Sequence, residues 1–219
     1  NDGDSPEMKL PVRVTFGAKA GKTNGVADFL SQEEMDSYRG FWFSKSAIET
    51  SEDETISYNV SFLEVIDSHI PIFTIVHSGD TGIGKAPTLE AHRYPFAGCE
   101  NPLVKVGVIE IHSNNGKSNS TNPSELFEKA LWLTPIANAA YICRVNWLAN
   151  NQIVIQYENR GQEELTLVYY PISSRKEGTN TIEGVTILKE VSDVWINLDH
   201  LFREVSRKSS DDSTPAVQT

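Results

Sequence analysis

Alternation of apolar and polar positions, not helical spacing, organises most of this chain. Residues 58–65 interleave Val60, Phe62 and Val65 with polar neighbours, 70–76 form a near-continuous apolar run, and 103–111 repeat the pattern after Asn101-Pro102. Such alternation over four to eight residues predicts half-buried strands. The clearest pair runs from Ile142 to Leu148 and from Ile153 to Tyr157, joined by Ala149-Asn150-Asn151-Gln152. Asn tolerates positive φ, so Asn-Asn predicts a tight turn. A second turn at Asn159-Arg160-Gly161 leads into residues 165–170, which makes a three-strand meander. Helical signals are few. Ser31 is placed to cap a short helix with Glu34 completing a capping box, and Asn122 to Trp132 is expected to form a turn or two.

Strand groups of three or four separated by surface loops suit a β-propeller better than a single sandwich. Phe41-Trp42-Phe43-Ser44 and Asn146-Trp147-Leu148-Ala149 echo each other at a spacing of about two blades of ~40–50 residues. The expected fold is therefore all-β: a partial β-propeller of about four blades of antiparallel strands, with a short helical arm. Residues 1–9 are expected to be a polar N-terminal edge, 10–203 the partial propeller with its arm near 25–40, and 204–219 a polar loop or cut end. The aromatic residues Phe41, Trp42, Phe43 and Trp147, at strand positions, are expected in inter-blade core.

The 219 residues can bury a substantial core, and their 39% hydrophobic and 22% charged content is that of a globular protein. A formal net charge of -11 argues against nucleic acid or an anionic membrane surface as partner, because phosphate binding needs clustered Lys and Arg. No apolar run approaches the ~20 residues of a membrane span. Cys99 and Cys143 are the only cysteines, which makes no disulfide framework and favours a reducing compartment. The chain starts at Asn1 without a signal-peptide pattern and ends in a polar stretch, so both ends read as cut from something longer.

Glu33 and Glu34 are the candidate binding residues. Two adjacent carboxylates repel each other, so they either face water or share a cation, and a free α-amino group is one such cation. The segment from Gly25 to Phe43 resembles the glutamate-pair segment of the dipeptidyl peptidase IV family, in the form found in the cytosolic dipeptidyl peptidases 8 and 9. The resemblance extends through residues 11–16, 63–67, Ile75-Val76-His77, Arg93-Tyr94-Pro95, Asn101-Pro102, Tyr141 to Trp147, and Leu188 to Asn197, in family order. It implies that Glu33 and Glu34 bind the substrate's N-terminus and that the parent removes X-Pro or X-Ala dipeptides from peptides. It also implies a C-terminal α/β-hydrolase domain in the same parent chain, a cytoplasmic setting and a homodimeric parent. The family's Ser-Asp-His triad has no counterpart here: Gly116-Lys117-Ser118-Asn119-Ser120 lacks the second glycine of a nucleophile elbow. No catalytic residue is expected in this chain, and no hydrolysis by it alone.

Competing motifs are weak. Gly79 to Lys85 spells Gly-x-x-x-x-Gly-Lys, but Ala86 stands where a P-loop needs Ser or Thr for magnesium. None of His69, His77, His92, His112 and His200 stands at metal-ligand spacing, so neither metal nor cofactor is expected. The alternative function is a non-catalytic propeller used as a protein- or peptide-binding module.

Overall fold

β-Branched and aromatic residues fill the strand stretches, and these residues fit a pleated, half-buried surface. The computed structural model describes residues 13–50, 55–77, 86–113, 122–176, 178–198, 203–205 and 216–218. The first part of the chain contains β1 (Lys22–Asn24), α1 (Phe29–Glu33), β2 (Phe41–Phe43), β3 (Ile48–Thr50), β4 (Thr55–Ile66), β5 (Ile72–His77), β6 (Thr88–Arg93) and β7 (Leu103–Ser113). Next come α2 (Pro123–Glu128), β8 (Leu131–Thr134), β9 (Tyr141–Trp147), β10 (Ile153–Glu158) and β11 (Glu164–Tyr170). β12 (Thr181–Glu183), β13 (Val185–Val191), β14 (Arg203–Val205) and β15 (Ala216–Gln218) complete the order.

Among the described residues these strands form four sheets, two of blade width and two narrow ribbons. The first blade is built on β4, which pairs antiparallel with β7 from Ile56↔Ser113 to Ile66↔Leu103. Its other edge takes three short strands in succession: β1 opposite Glu64–Ile66, β2 opposite Val60–Phe62, and β3 opposite residues 55–57. One edge strand is thus broken twice, and the first break is the excursion 25–40 that carries the glutamate pair. β8 lies outside β7. The second blade is the antiparallel order β13-β11-β10-β9. β5 and β6 pair only with each other, as a ribbon rising between β4 and β7; β14 and β15 form the other ribbon. This is a partial all-β propeller, as expected.

The blades pack face to face. Leu63, Val65, Val106, Val108, Leu131 and Leu133 of the first meet Val145, Trp147, Ile153, Ile155, Tyr157 and Tyr170 of the second in one buried cluster. Each fully buried side chain of this size contributes about 1.5–3 kcal/mol. Polar ties cross the same boundary. Trp147 Nε1 donates to Ser61 Oγ (3.0 Å) and to the Trp42 carbonyl (3.1 Å). The Tyr170 hydroxyl donates to the Thr134 carbonyl (2.7 Å) and lies 2.8 Å from the Tyr157 hydroxyl. Burial pushes both phenols up, so they stay neutral hydrogen-bonding groups. β12 leaves the second blade and pairs parallel with β8 of the first, clasping the two together.

Several local expectations change. The α1 N-cap is Asp28, whose side chain accepts from the Ser31 amide, while Ser31 is buried within the helix and Glu34 is its C-cap. The reason is register: the apolar residues Ala27 and Met35 turn inward, and this phase carries Ser31 inward with them. Trp42 and Trp147 join the inter-blade core, but Phe41 and Phe43 remain 52% and 59% exposed, stacked edge to face on each other on the open side of the edge strand. Ile75-Val76-His77 belongs to the exposed β5–β6 ribbon. The Asn150-Asn151 turn forms with Asn151 at φ 57°. In the turn after Asn159 the positive φ falls on Gln162, and the Asn159 side chain accepts from the amides of Glu163 and Glu164. Residues 79–85, 116–120 and His200 lie outside the described residues.

Candidate functional site

The arm 25–40 leaves the first blade at Gly25 and rejoins it at Gly40, and both ends bond to one residue of β4. The Gly25 amide donates to the Leu63 carbonyl, and the Leu63 amide donates to the Gly40 carbonyl, each at 2.8 Å. Gly25 sits at φ 73°, in the left-handed region that glycine adopts without strain. Gly40 has a different need. A Cβ there would lie 2.3 Å from backbone atoms of Gly25 and Val26, so only glycine lets the two ends of the arm touch.

Beyond this neck the arm folds against the blades through Ala27, Ser31 and Met35, all buried. Burial pushes the Asp28 carboxyl up, and its bonds from Ser31 oppose the rise. Gln32 Nε2 donates to the Ala27 carbonyl at 3.0 Å, and the Ser37 amide to the Ser31 carbonyl at 2.9 Å. Arg144, on β9, donates from Nη1 to the Met35 carbonyl (2.5 Å) and to that of Cys143 (2.7 Å), fixing the tip of the arm to the second blade.

With the apolar face inward, Glu33 and Glu34 at the end of α1 are exposed. Neither makes an ion pair among the described residues. They stand on a ridge between two clefts of about 290 Å³ each. Glu33 borders the first, whose walls are Phe29, Phe73, Ile75, Tyr94 and Phe96, with His92 at its margin. Phe29 meets Tyr94 edge to face at 5.2 Å, joining the arm to the chain just beyond β6. Glu34 borders the second, which reaches down to Arg144, Glu158, Gln162 and Trp195.

The floor of this second cleft was missed by sequence reasoning. Glu158 ends β10 and is 1% exposed, and its Oε1 has no hydrogen-bond partner among the described residues. Burial raises its carboxyl to about 7, against the opposing influence of Cys143 and Arg144. Burial, with Glu158 beside it, also pushes the Cys143 thiol well up, so this cysteine is an inert thiol. The sequence offered one signal: Glu158 continues the strand past Tyr157, where a carboxylate must face either solvent or the core.

Several other charged groups are partnered. Glu64, 2% exposed, pairs with Lys22 at 2.7 Å and Lys105 at 2.9 Å across β1, β4 and β7. His77 and His92 both contact Glu90 on the ribbon, at 2.5 and 2.7 Å. Among the described residues, no His, Cys, Asp and Glu cluster is suited to a metal ion, and no helix is long and apolar enough to cross a membrane.

Residues 5–215 match the family described as dipeptidyl peptidase IV (DPP IV) N-terminal region. The chain is 28% identical over 152 residues to dipeptidyl peptidase 4 of Felis catus, covering 68% of this chain and 18% of that protein. It is 28% identical over 162 residues to inactive dipeptidyl peptidase 10 of Rattus norvegicus, covering 72% and 17%. With dipeptidyl peptidase 8 of Homo sapiens it shares 26% identity over 202 residues, covering 83% and 21%. The matched region thus spans about a fifth of the length of these relatives. A partial propeller carrying a glutamate arm, matched to the family description over nearly its whole length, belongs to the dipeptidyl peptidase IV N-terminal region family.

Proposed function

We propose that this chain is the propeller region of a serine dipeptidyl peptidase that removes N-terminal X-Pro or X-Ala dipeptides, with Glu33 and Glu34 binding the substrate's α-ammonium group. The observation that carries this reading is the arm itself. Its neck is locked to Leu63, its underside is buried, and it presents two exposed carboxylates with no ion-pair partner among the described residues. A protonated amine donates up to three hydrogen bonds, and each charge-assisted bond contributes about 1.5–3 kcal/mol. Such an arm selects chain ends, because an internal peptide segment brings no cation to it.

The hydrolytic serine, its base and its orienting acid would come from an α/β-hydrolase domain of the same parent chain, acting in the cytoplasm as a homodimer on peptides with a free N-terminus. In the parent enzyme, Glu33→Ala or Glu34→Ala is expected to lower kcat/KM on an Ala-Pro chromogenic amide by about 10- to 100-fold, the loss of one such bond. Unchanged kcat/KM in both variants would refute the assignment. A second reading, a non-catalytic propeller that binds peptides or proteins, is favoured by the likeness to a relative named inactive dipeptidyl peptidase 10. A parent that binds Ala-Pro amide without cleaving it would select that reading.

A further inference from the structure

A cleft of about 720 Å³, larger than either cleft beside the arm, lies between the two blades toward the opposite end of β4. Asn59 of β4 and its register partner Glu110 of β7 stand on one wall, and the Asn150–Gln152 turn and Arg175 on the other. Side chains alternate along a strand, so Asn59 faces the second blade as Ser61 and Leu63 do. Asn59 is 8% exposed, and its side-chain amide makes no hydrogen bond among the described residues. On the facing wall, Asn151 Oδ1 is a buried acceptor without a donor among them. Buried polar groups are paired in native proteins, so two open amides on facing walls point to a ligand between them. Gln152 beside them is already engaged: its Nε2 donates to Ser173 Oγ at 2.8 Å and to the Asn150 carbonyl at 3.2 Å.

Charge narrows the class of ligand. The chain carries a formal net charge of -11, yet Lys129 and Arg175 line this cleft without an ion pair among the described residues. Arg175 Nε donates to the Thr179 carbonyl at 2.9 Å, which leaves its Nη groups to the cleft. The one lining carboxylate, Glu110, accepts from Ser57 Oγ at 2.8 Å and lies 4.0 Å from His112 Nδ1. The floor is aliphatic, made by Val108, Leu126, Leu131 and Ile172.

We infer that this cleft binds a short acidic peptide segment: a carboxylate side chain on Lys129 and Arg175, peptide groups on Asn59 and Asn151, and an aliphatic side chain on the floor. A peptide group carries one N–H and one C=O, so it satisfies the Asn151 acceptor and pairs with either end of the Asn59 amide. The two cations disfavour a metal ion or an amine. A nucleotide finds no Phe, Tyr or Trp on the lining to stack on, and a small inorganic anion leaves the aliphatic floor uncovered. The site needs no free N-terminus and stands apart from Glu33 and Glu34.

The test is titration of this chain with acetyl-Asp-Leu-Asp amide, acetyl-Asn-Leu-Asn amide and glutarate, followed by the NMR signals of the Asn59 and Asn151 side-chain amides. The blocked N-termini remove the ammonium that the arm would recognise. Saturable binding of the Asp peptide is expected, about tenfold weaker for the other two probes and weakened by salt. Lys129→Gln and Arg175→Gln, both at exposed positions, should each weaken the Asp peptide about three- to fivefold, and Lys129→Arg should keep its affinity. Asn59→Ala should weaken both peptides alike; circular dichroism checks its fold, and the two exposed variants decide the matter where that fold is lost. Absence of saturable binding by the Asp peptide, equal binding of the Asn peptide, or full affinity in both Lys129→Gln and Arg175→Gln would overturn the inference. Glutarate binding as tightly as the Asp peptide would also overturn it, by marking a simple anion site. None of these outcomes touches amine recognition by the arm, which is read separately from Glu33→Ala and Glu34→Ala.

Discussion

Replacing Gly40 by alanine strikes the neck of the arm and nothing else. The added Cβ would lie 2.3 Å from the Gly25 carbonyl carbon and the Val26 amide nitrogen, and 2.4 Å from the Gly25 oxygen. Ordinary contact begins at 3.4 Å, so the overlap is about 1 Å. All three atoms are backbone, and no rotamer change relieves the clash. The two ends must part, which breaks the paired 2.8 Å bonds to Leu63. Overpacking costs about 1–3 kcal/mol and each lost bond about 1 kcal/mol, for a total of about 3–5 kcal/mol. Gly25→Ala is the control: its Cβ meets nothing within 4 Å, and only the φ of 73° is strained, at about 1–2 kcal/mol. Urea midpoints report the global cost, and hydrogen exchange at the Leu63 amide reports the neck. Gly40→Ala should lower the midpoint well beyond Gly25→Ala and speed Leu63 exchange. Equal midpoints with unchanged Leu63 exchange would refute the close-packed neck.

Two further perturbations probe what holds the blades under the arm. Glu64→Gln removes a buried carboxylate from between Lys22 and Lys105. Because both lysines are partly exposed and can hydrate, the cost is about 1–3 kcal/mol, below that of a fully buried pair. Burial works to raise the Glu64 carboxyl, but the hydrogen bonds from Lys105 and Lys22 outweigh it and hold it below its ordinary value. Its stabilisation is therefore full above the unfolded-state pKa of about 4.3 and is lost as pH falls through the folded-state value. Urea midpoints of parent and variant should differ at pH 7 and converge in acid, and a constant difference would contradict the ion-pair account. Tyr170→Phe removes the inter-blade bond to the half-buried Thr134 carbonyl and takes from the buried Tyr157 hydroxyl its contact with Tyr170, at about 1–3 kcal/mol. Thermal melting should show a drop of about 2–4 °C per kcal/mol for a chain this size, and an unchanged melting temperature would mean that the tie carries no stability.

What the sequence disclosed was what lies close along the chain. The β9–β10–β11 meander was legible because its contacts join neighbouring segments, its strands alternate, and Asn151 supplies the positive φ of the turn. The glutamate pair was legible through its setting in a family-like segment. The edge strand was not: β1, β2 and β3 share one neighbour, β4, although the arm separates the first two. No local pattern says that residues 22–24 and 41–43 lie on one line, and the only local trace is a glycine at each end of the arm. The β12 clasp is three residues long and pairs with a strand nearly fifty positions earlier, too little for periodicity to register. The β5–β6 ribbon misled differently, since its apolar residues are exposed and hydrophobicity alone does not report burial. Glu158 was hidden because a carboxylate at a strand end reads as solvated until the packed fold closes over it.

The geometry of the neck also bears on how a five-residue helix can hold a pair of carboxylates in place. A helix of that length is unstable by itself, because nucleation fixes more dihedral angles than its few bonds repay. α1 therefore borrows its rigidity. Asp28 caps its start, Met35 is buried beyond its end and bonded to Arg144, and both ends of the excursion meet at one residue of the longest strand in the first blade. The position of Glu33 and Glu34 is then set by the first blade through Leu63 and by the second through Arg144. Loosening either attachment should displace the carboxylates without touching them. Variants of the neck and of Arg144 thus belong with the glutamates in any test of amine recognition: a parent enzyme in which Gly40→Ala left kcat/KM intact would show that the arm does not need its anchor to present them.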